Sequence, residues 1–303
     1  TIANLLDGTS VYIMPRFQRV FEWHKPHFEK LWEDIDQVWF DNEDRQFLGA
    51  IVTSVYKAKK GAQGAQNWVI DGQQRLTTLY TLISALTLIA QRAGFSELAE
   101  AFAAPLFVTA VGGDLQDTPT IMPTVKDTTQ FNKMLREIKK SSPSMKLQKD
   151  FGENTILYNG WKRFLVREAR KRVTDPDNRV NKEKLEWLYE IVTDRLLLIM
   201  IDVPKSMSPH KVFDRLNTGG KPLSTADLVR NLIFENLMHQ PKLADALHEE
   251  KMLPLESTFE YMKGAENKTR LDEFYFPFAL TKPIDKLTKS NMFSKLRGYW
   301  KGK

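Results

Sequence analysis

Apolar and polar positions along the 303 residues alternate in a way that predicts short strands interleaved with amphipathic helices. A short helical opening at Thr1–Leu6 leads into the β-branched run Val11–Met14, a strand that Pro15 turns into a loop. Phe28, Leu31, Trp32, Ile35, Val38 and Trp39 recur at helical spacing behind Pro26, a residue suited to a first helical turn. Phe47–Val55 and Trp68–Ile70 read as two strands of a hairpin around a flexible Gly61–Gln66 turn. Immediately afterwards Leu76, Leu79, Tyr80, Ile83, Leu86 and Ile89 mark one face of a helix that Gly94 can end in the left-handed conformation.

Beyond that helix, the glycines, prolines and threonines of Gly112–Asp127 suggest a connection. Thr128–Arg195 is mostly helical in pattern, broken at Asp175-Pro176-Asp177. The apolar run Leu196–Val203 predicts a buried strand returning to the sheet, with no partner nameable from the pattern. A helix at about Pro209–Leu216 precedes Asn217-Thr218-Gly219-Gly220-Lys221, and Ser224 with Asp227 forms a capping box opening the striped helix Ala226–Leu237. Leu271, Phe274, Tyr275 and Phe278 predict more helix. The fold class is α/β (α+β), a small sheet core with a large, mainly helical remainder. It divides into residues 1–110 as the core, 111–195 as a basic helical segment, and 196–303 as the returning strand and the helices completing the domain.

Composition narrows the functions available. With 42% apolar and 27% charged residues the chain can bury a real core. It has no cysteine, which excludes disulfides, thiolate zinc sites and thiol nucleophiles and suits a reducing, cytoplasmic location. Membrane association is not expected, because the greasiest stretch, Leu79–Ala90, is too short and is interrupted by Thr81, Ser84 and Thr87. The net charge is +6, yet Lys133 to Arg172 alone carries twelve basic and four acidic residues, +8, so the remainder sums to −2. Such a local excess reads equally as phosphate contacts for a nucleic acid or as a solvated helix face.

The strongest chemical signal is Asp71-Gly72-Gln73-Gln74-Arg75, between a strand and a helix. A tight turn there leaves backbone N–H groups unpaired at the positive end of the helix dipole, which makes an anion site. Gly72 permits the turn and the approach of a phosphate, and Arg75 offers a planar donor fork. Gln73 or Gln74 could orient an attacking water, and Asp71 could hold Mg²⁺. The plainer alternative is that Asp71 only caps the helix and Arg75 pairs with a surface carboxylate.

Two further clusters bear on that choice. Pro15-Arg16-Phe17-Gln18-Arg19 puts arginines, a glutamine and an aromatic in one loop, and function there falls mainly to Gln18 and Arg19, with Phe17, Phe21 and Trp23 as core anchors. Asn217 and Lys221 either serve a chain reversal or lie near the phosphate site. No P-loop, G-x-G-x-x-G fingerprint, zinc-hydrolase pattern or serine-hydrolase elbow occurs.

Four ordered landmarks, Pro15 to Trp23, Phe47-Leu48-Gly49, Asp71 to Arg75, and Leu216 to Ser224, cover most of the chain. Together they resemble the amino-terminal domain of the GmrSD-type, modification-dependent restriction enzymes. The resemblance implies a ParB and sulfiredoxin-like core whose glycine-and-arginine turn binds nucleotide phosphate, with Mg²⁺ and GTP or ATP as cofactors. It implies DNA, in modified form, as partner, cut by an HNH nuclease domain. In the phosphorothioate-sensing branch it implies sensing by Pro15, Phe17, Gln18 and Arg19 and hydrolysis by Asp71 to Arg75. No H-N-H constellation follows Tyr275, so the nuclease is expected on a longer chain or a separate subunit. The sequence is also compatible with a homo-oligomer. The competing expectation is a non-catalytic module in which nucleotide acts as a switch for DNA or protein binding.

Overall fold

The computed structural model describes residues 1–15, 18–41, 43–55, 65–109, 115–140, 156–204, 224–237, 240–260 and 270–301. The chain divides into two compact units, Thr1–Pro15 with Val20–Met207, and Arg16–Arg19 with Ser208–Lys303.

The first unit is built on a five-stranded mixed sheet. Its strands are β1 (Ser10–Ile13), β2 (Gln46–Val55), β3 (Ala65–Asp71), β6 (Ile121–Met122) and β7 (Leu196–Val203), in the order β6-β1-β3-β2-β7. β1 runs parallel to both β3 and β6, β2 and β3 form the expected antiparallel hairpin, and β7 joins β2 in parallel with Ile51 opposite Met200. The stretch read as a connection instead contributes strands. β4 (Phe107–Thr109) pairs with β5 (Leu115–Pro119), and β6 adds an edge to the sheet. These strands are too short to show a period in the sequence. β7 also departs from expectation: Leu196 and Val203 are buried, but Ile199, Met200 and Ile201 are exposed, because the strand lies at the sheet's edge.

The helices of this unit are α1 (Ile2–Leu5), α2 (Lys25–Phe40), α3 (Gln73–Ala93), α4 (Ser96–Ala103), α5 (Thr128–Lys140), α6 (Ile156–Gly160), α7 (Arg167–Val173) and α8 (Lys182–Glu190), with a π-turn at Trp161–Val166. α3 is its axis. The pattern predicts one apolar face, whereas every residue from Leu76 to Ala90 is buried. The polar residues among them are tolerated because their hydroxyls return to the helix's own carbonyls: Thr78 to Gln74, Thr81 to Thr78, Ser84 to Thr81 and Thr87 to Ile83, at 2.7 to 3.0 Å. Gly94 ends the helix at φ 82°, as expected. Among the described residues, no helix is long and apolar enough to cross a membrane.

The second unit is helical. It comprises α9 (Thr225–Asn236), α10 (Pro241–Leu247), α11 (Leu253–Glu260), α12 (Arg270–Leu280) and α13 (Met292–Lys301). The predicted capping box is present at the start of α9, where Asp227 N–H donates to Ser224 Oγ at 3.1 Å and Ser224 N–H to the Asp227 carboxylate at 3.2 Å. Ala226, Val229, Leu271, Tyr275, Ala279, Met292 and Leu296 form its core. Arg230 binds both Asp227 and the buried Glu256, a largely shielded triad whose members satisfy one another. The expected helix at Pro209–Leu216 and the Asn217–Lys221 loop lie outside the described residues.

Candidate functional site

Asp71 closes β3 opposite Val52, and Gly72 then swings the chain into α3 with φ 86°. Two demands meet at this glycine. The backbone is left-handed, and a Cβ would lie 2.9 Å from the Ala50 carbonyl oxygen and 3.0 Å from Ile51 Cγ1. The sequence reading gives that space to an approaching phosphate, but the structure fills it with β2.

Arg75, three residues on, reaches back over the same strand. Its Nη1 donates to the Ala50 carbonyl at 2.8 Å. A Cβ on Gly49, itself at φ 113°, would come 3.0 to 3.3 Å from the guanidinium. The glycine of Phe47-Leu48-Gly49 and the arginine of the turn therefore explain each other: one makes the seat that the other occupies. The seat is half-buried, and desolvation pulls the Arg75 pKa down while the Asp71 carboxylate holds it up. The group stays cationic. Among the described residues it makes no hydrogen bond besides that to Ala50, so most of its five donors remain available to an anion.

The start of α3 adds to this field. Gly72, at the N-cap, offers no side chain to its amides, and the first intrahelical bond, from Leu76 N–H to the Gly72 carbonyl, leaves the first turn without helical acceptors. A carboxylate, a guanidinium and an uncapped helix start thus converge on one bend, an arrangement that suits a phosphate group with an accompanying cation.

The two glutamines differ. Gln73 is buried. Gln74 has both ends of its amide engaged: Oε1 accepts from Glu22 N–H at 2.8 Å and Nε2 donates to the Val20 carbonyl at 2.9 Å. It grips the segment that follows Arg19. Asp127 holds the same segment through Phe21 N–H at 2.9 Å, and Thr124 Oγ1 donates to the same carboxylate oxygen at 2.7 Å. Burial pushes the Asp127 carboxyl above the usual carboxylate range, with these hydrogen bonds opposing the shift. Asp127 was missed by sequence reasoning, although Thr124-Val125-Lys126-Asp127 carries the [ST]-x-x-[DE] spacing of a helix start.

Of the loop residues, Pro15 and Gln18 are buried and Arg19 is half-buried, while Phe17, like Asn217 and Lys221, lies outside the described residues. Phe21 and Trp23 are core anchors as expected, packed on Phe28 with ring centroids 6.3 and 5.9 Å away. Phe28 stacks in turn on Phe164 at 5.1 Å.

Part of the basic segment is neutralised internally. Arg172 makes two hydrogen bonds to the Asp36 carboxylate and lies over Trp32, and Lys171 pairs with Glu168 at 2.7 Å. Arg136, Arg163, Arg167 and Arg170 are exposed. Positive charge is crowded here: Lys133 lies 4.1 Å over the Tyr158 ring, its pKa lowered by burial and by Lys162 and Arg136, with Glu137 opposing. The Arg92 pKa is lowered by burial and by Arg170, again against Glu137.

A search of curated proteins returned no match. A family model described as GmrSD restriction endonuclease, N-terminal domain, matches residues 2–234, more than three quarters of the chain and inclusive of the turn, its arginine seat and the gripped loop. The chain belongs to the GmrSD restriction endonuclease N-terminal domain family and is thereby a component of a restriction system.

Proposed function

We propose that this chain senses modified DNA and hydrolyses GTP or ATP with Mg²⁺, licensing an HNH nuclease domain or subunit to cut, within the cytoplasm. The observation that carries the reading is Arg75: a half-buried cation, hydrogen-bonded once among the described residues, at a helix start with no side-chain cap beside Asp71. Arg75 and the first-turn amides would hold phosphate oxygens, and Asp71 would hold Mg²⁺, which neutralises charge on the triphosphate when bound. Gln73 takes the water-orienting task, since the Gln74 amide is committed to Val20 and Glu22. Asn217 and Lys221 are further nucleotide contacts. Sensing falls to Pro15, Phe17, Gln18 and Arg19, as in the phosphorothioate-sensing branch, with a ParB-like core as the frame.

Phosphate release from GTP and ATP by the purified chain, with nucleotide stoichiometry measured alongside, tests this. Multiple turnovers support hydrolysis. One nucleotide retained per chain without release supports the switch instead, and neither binding nor turnover overturns both.

For DNA, the exposed arginines of α5 and α7 predict backbone contacts that read no sequence. Affinity should fall as salt rises, and Arg136→Ala or Arg167→Ala should each reduce the slope of log K against log salt by about one while leaving any preference for modified DNA unchanged. Slopes equal to wild type would remove these residues from the interface.

A further inference from the structure

A groove of about 750 Å³ runs between α2 and the chain from the π-turn into α7. It lies wholly within the first unit, and no residue of the turn at the start of α3 lines it. Its volume is that of a small-ligand site, which spans roughly 300–1,000 Å³. The two walls are tied together directly. Trp32 Nε1 donates to the Phe164 carbonyl at 2.8 Å, and Arg172, lying over the Trp32 ring, donates to both oxygens of Asp36 at 2.9 and 2.7 Å. Phe28 stacks on Phe164 at 5.1 Å with the rings 13° apart. Phe164 keeps part of its surface open and lines the groove. A site held in this way before a ligand arrives loses little to ordering.

Charge is sorted across the groove, with Glu29 and Glu33 on the α2 wall and Arg163 and Arg167 on the other. Each lining carboxylate already has a cation: Glu29 has Lys25 at 3.2 Å, Glu33 has Lys30 at 3.6 Å, Glu168 has Lys171 at 2.7 Å, and Asp36 has Arg172. Arg167 makes no ion pair among the described residues, so the surplus charge is positive and lies on its wall. Arg163, four residues earlier, adds a like charge whose repulsion an anion would relieve.

A ring, a pair of guanidinium groups and a facing pair of acceptors match the three parts of a nucleotide: a face for the base, donors for the phosphate, and acceptors for an amino group. We propose that this groove receives one unstacked nucleotide of a DNA strand, its phosphate on Arg163 and Arg167, its base against Phe164 and its amino group toward Glu29 or Glu33. This rests on the reading of the chain as a DNA-binding protein. To backbone contacts, which read no sequence, it adds a seat that only a base out of its stack can fill. Stacking accepts every base, but the carboxylates favour cytosine, adenine and guanine, which carry an amino group, over thymine, which does not. A free nucleoside monophosphate offers the same chemistry.

The test is fluorescence anisotropy of the full chain with two labelled duplexes of unmodified DNA, one fully paired and one carrying a single extra, unpaired cytosine. The unpaired cytosine is expected to tighten binding about tenfold, the scale of one base stacked on an aromatic ring. An unpaired thymine in its place should tighten it less. Phe164→Leu, which keeps an apolar side chain over Phe28, should lose the preference for the unpaired base and bind the paired duplex within a few fold of wild type. Glu29→Gln with Glu33→Gln, both at exposed positions, should erase the difference between cytosine and thymine. Equal affinity of wild type for paired and unpaired duplexes, or a full preference in Phe164→Leu, overturns the groove as a base seat. No binding of either duplex by wild type overturns the DNA reading beneath it. Free dCMP should compete only at far higher concentration than the oligonucleotide, because it lacks the neighbouring phosphates. Competition at equal concentration makes the free nucleotide the ligand and overturns the assignment to DNA.

Discussion

Removing the Arg75 guanidinium is expected to lower phosphate release by at least about 100-fold at saturating GTP or ATP, the scale set by losing one preorganised donor at a developing charge. The reason is the seat. A half-buried cation meets a phosphate in a reduced dielectric, where water does not substitute for it at comparable strength. Arg75→Lys keeps the charge and loses the planar fork, so it should recover only part of the rate. The fold should survive both changes, since the charge-assisted bond to the Ala50 carbonyl contributes about 2 kcal/mol. Gly49→Ala acts on the seat of the arginine, and because Gly49 lies at φ 113° it also strains the strand, so its turnover is compared per folded molecule. Its Cβ would meet the guanidinium at 3.0 Å, the far end of a flexible side chain that yields more readily than the strand. Turnover should fall toward the Arg75→Ala level, and the double variant should be no worse than Arg75→Ala alone. Steady-state phosphate release checks both. Rates within about threefold of wild type in Arg75→Ala would remove this turn from the reaction.

Much of the frame was legible because it depends on local rules. Pro26 at a helix start, Gly94 at a helix end and the Ser224–Asp227 box each act within a few residues, and each is where the pattern puts it. What escaped depends on burial and on distant partners. Thr78, Thr81, Ser84 and Thr87 look like a wet face of α3 until their hydroxyls are seen bonded within the helix. Apolar content alone could not separate the edge strand β7 from a central one. In the site, the residue types of the Asp71–Arg75 turn were legible, whereas two of their assignments were not. The space at Gly72 is decided by Ala50 and Ile51, and the engagement of Gln74 by Val20 and Glu22, more than fifty residues away along the chain.

Gly72 therefore carries the largest structural consequence. Gly72→Ala is expected to destabilise the first unit by about 3 kcal/mol, combining roughly 1–2 kcal/mol for an alanine held left-handed with roughly 1–3 kcal/mol for overpacking. The overpacking finds little give, because beside Ile51 Cγ1 at 3.0 Å the added methyl would meet the Ala50 carbonyl oxygen at 2.9 Å and Ile51 Cα at 3.1 Å, both on the backbone of a central strand. Gly94, at the other end of the same helix, separates the two effects. Its φ of 82° nearly equals that of Gly72, yet a Cβ there would meet nothing within 4 Å. Gly94→Ala should thus show the conformational cost alone, about 1 kcal/mol, and the difference between the two variants measures the packing of the turn on β2. Urea unfolding of each variant, read at equal slope, gives both numbers. Equal losses at the two positions would mean that β2 gives way around the added methyl, and the turn would then be held by its conformation rather than by the strand beneath it.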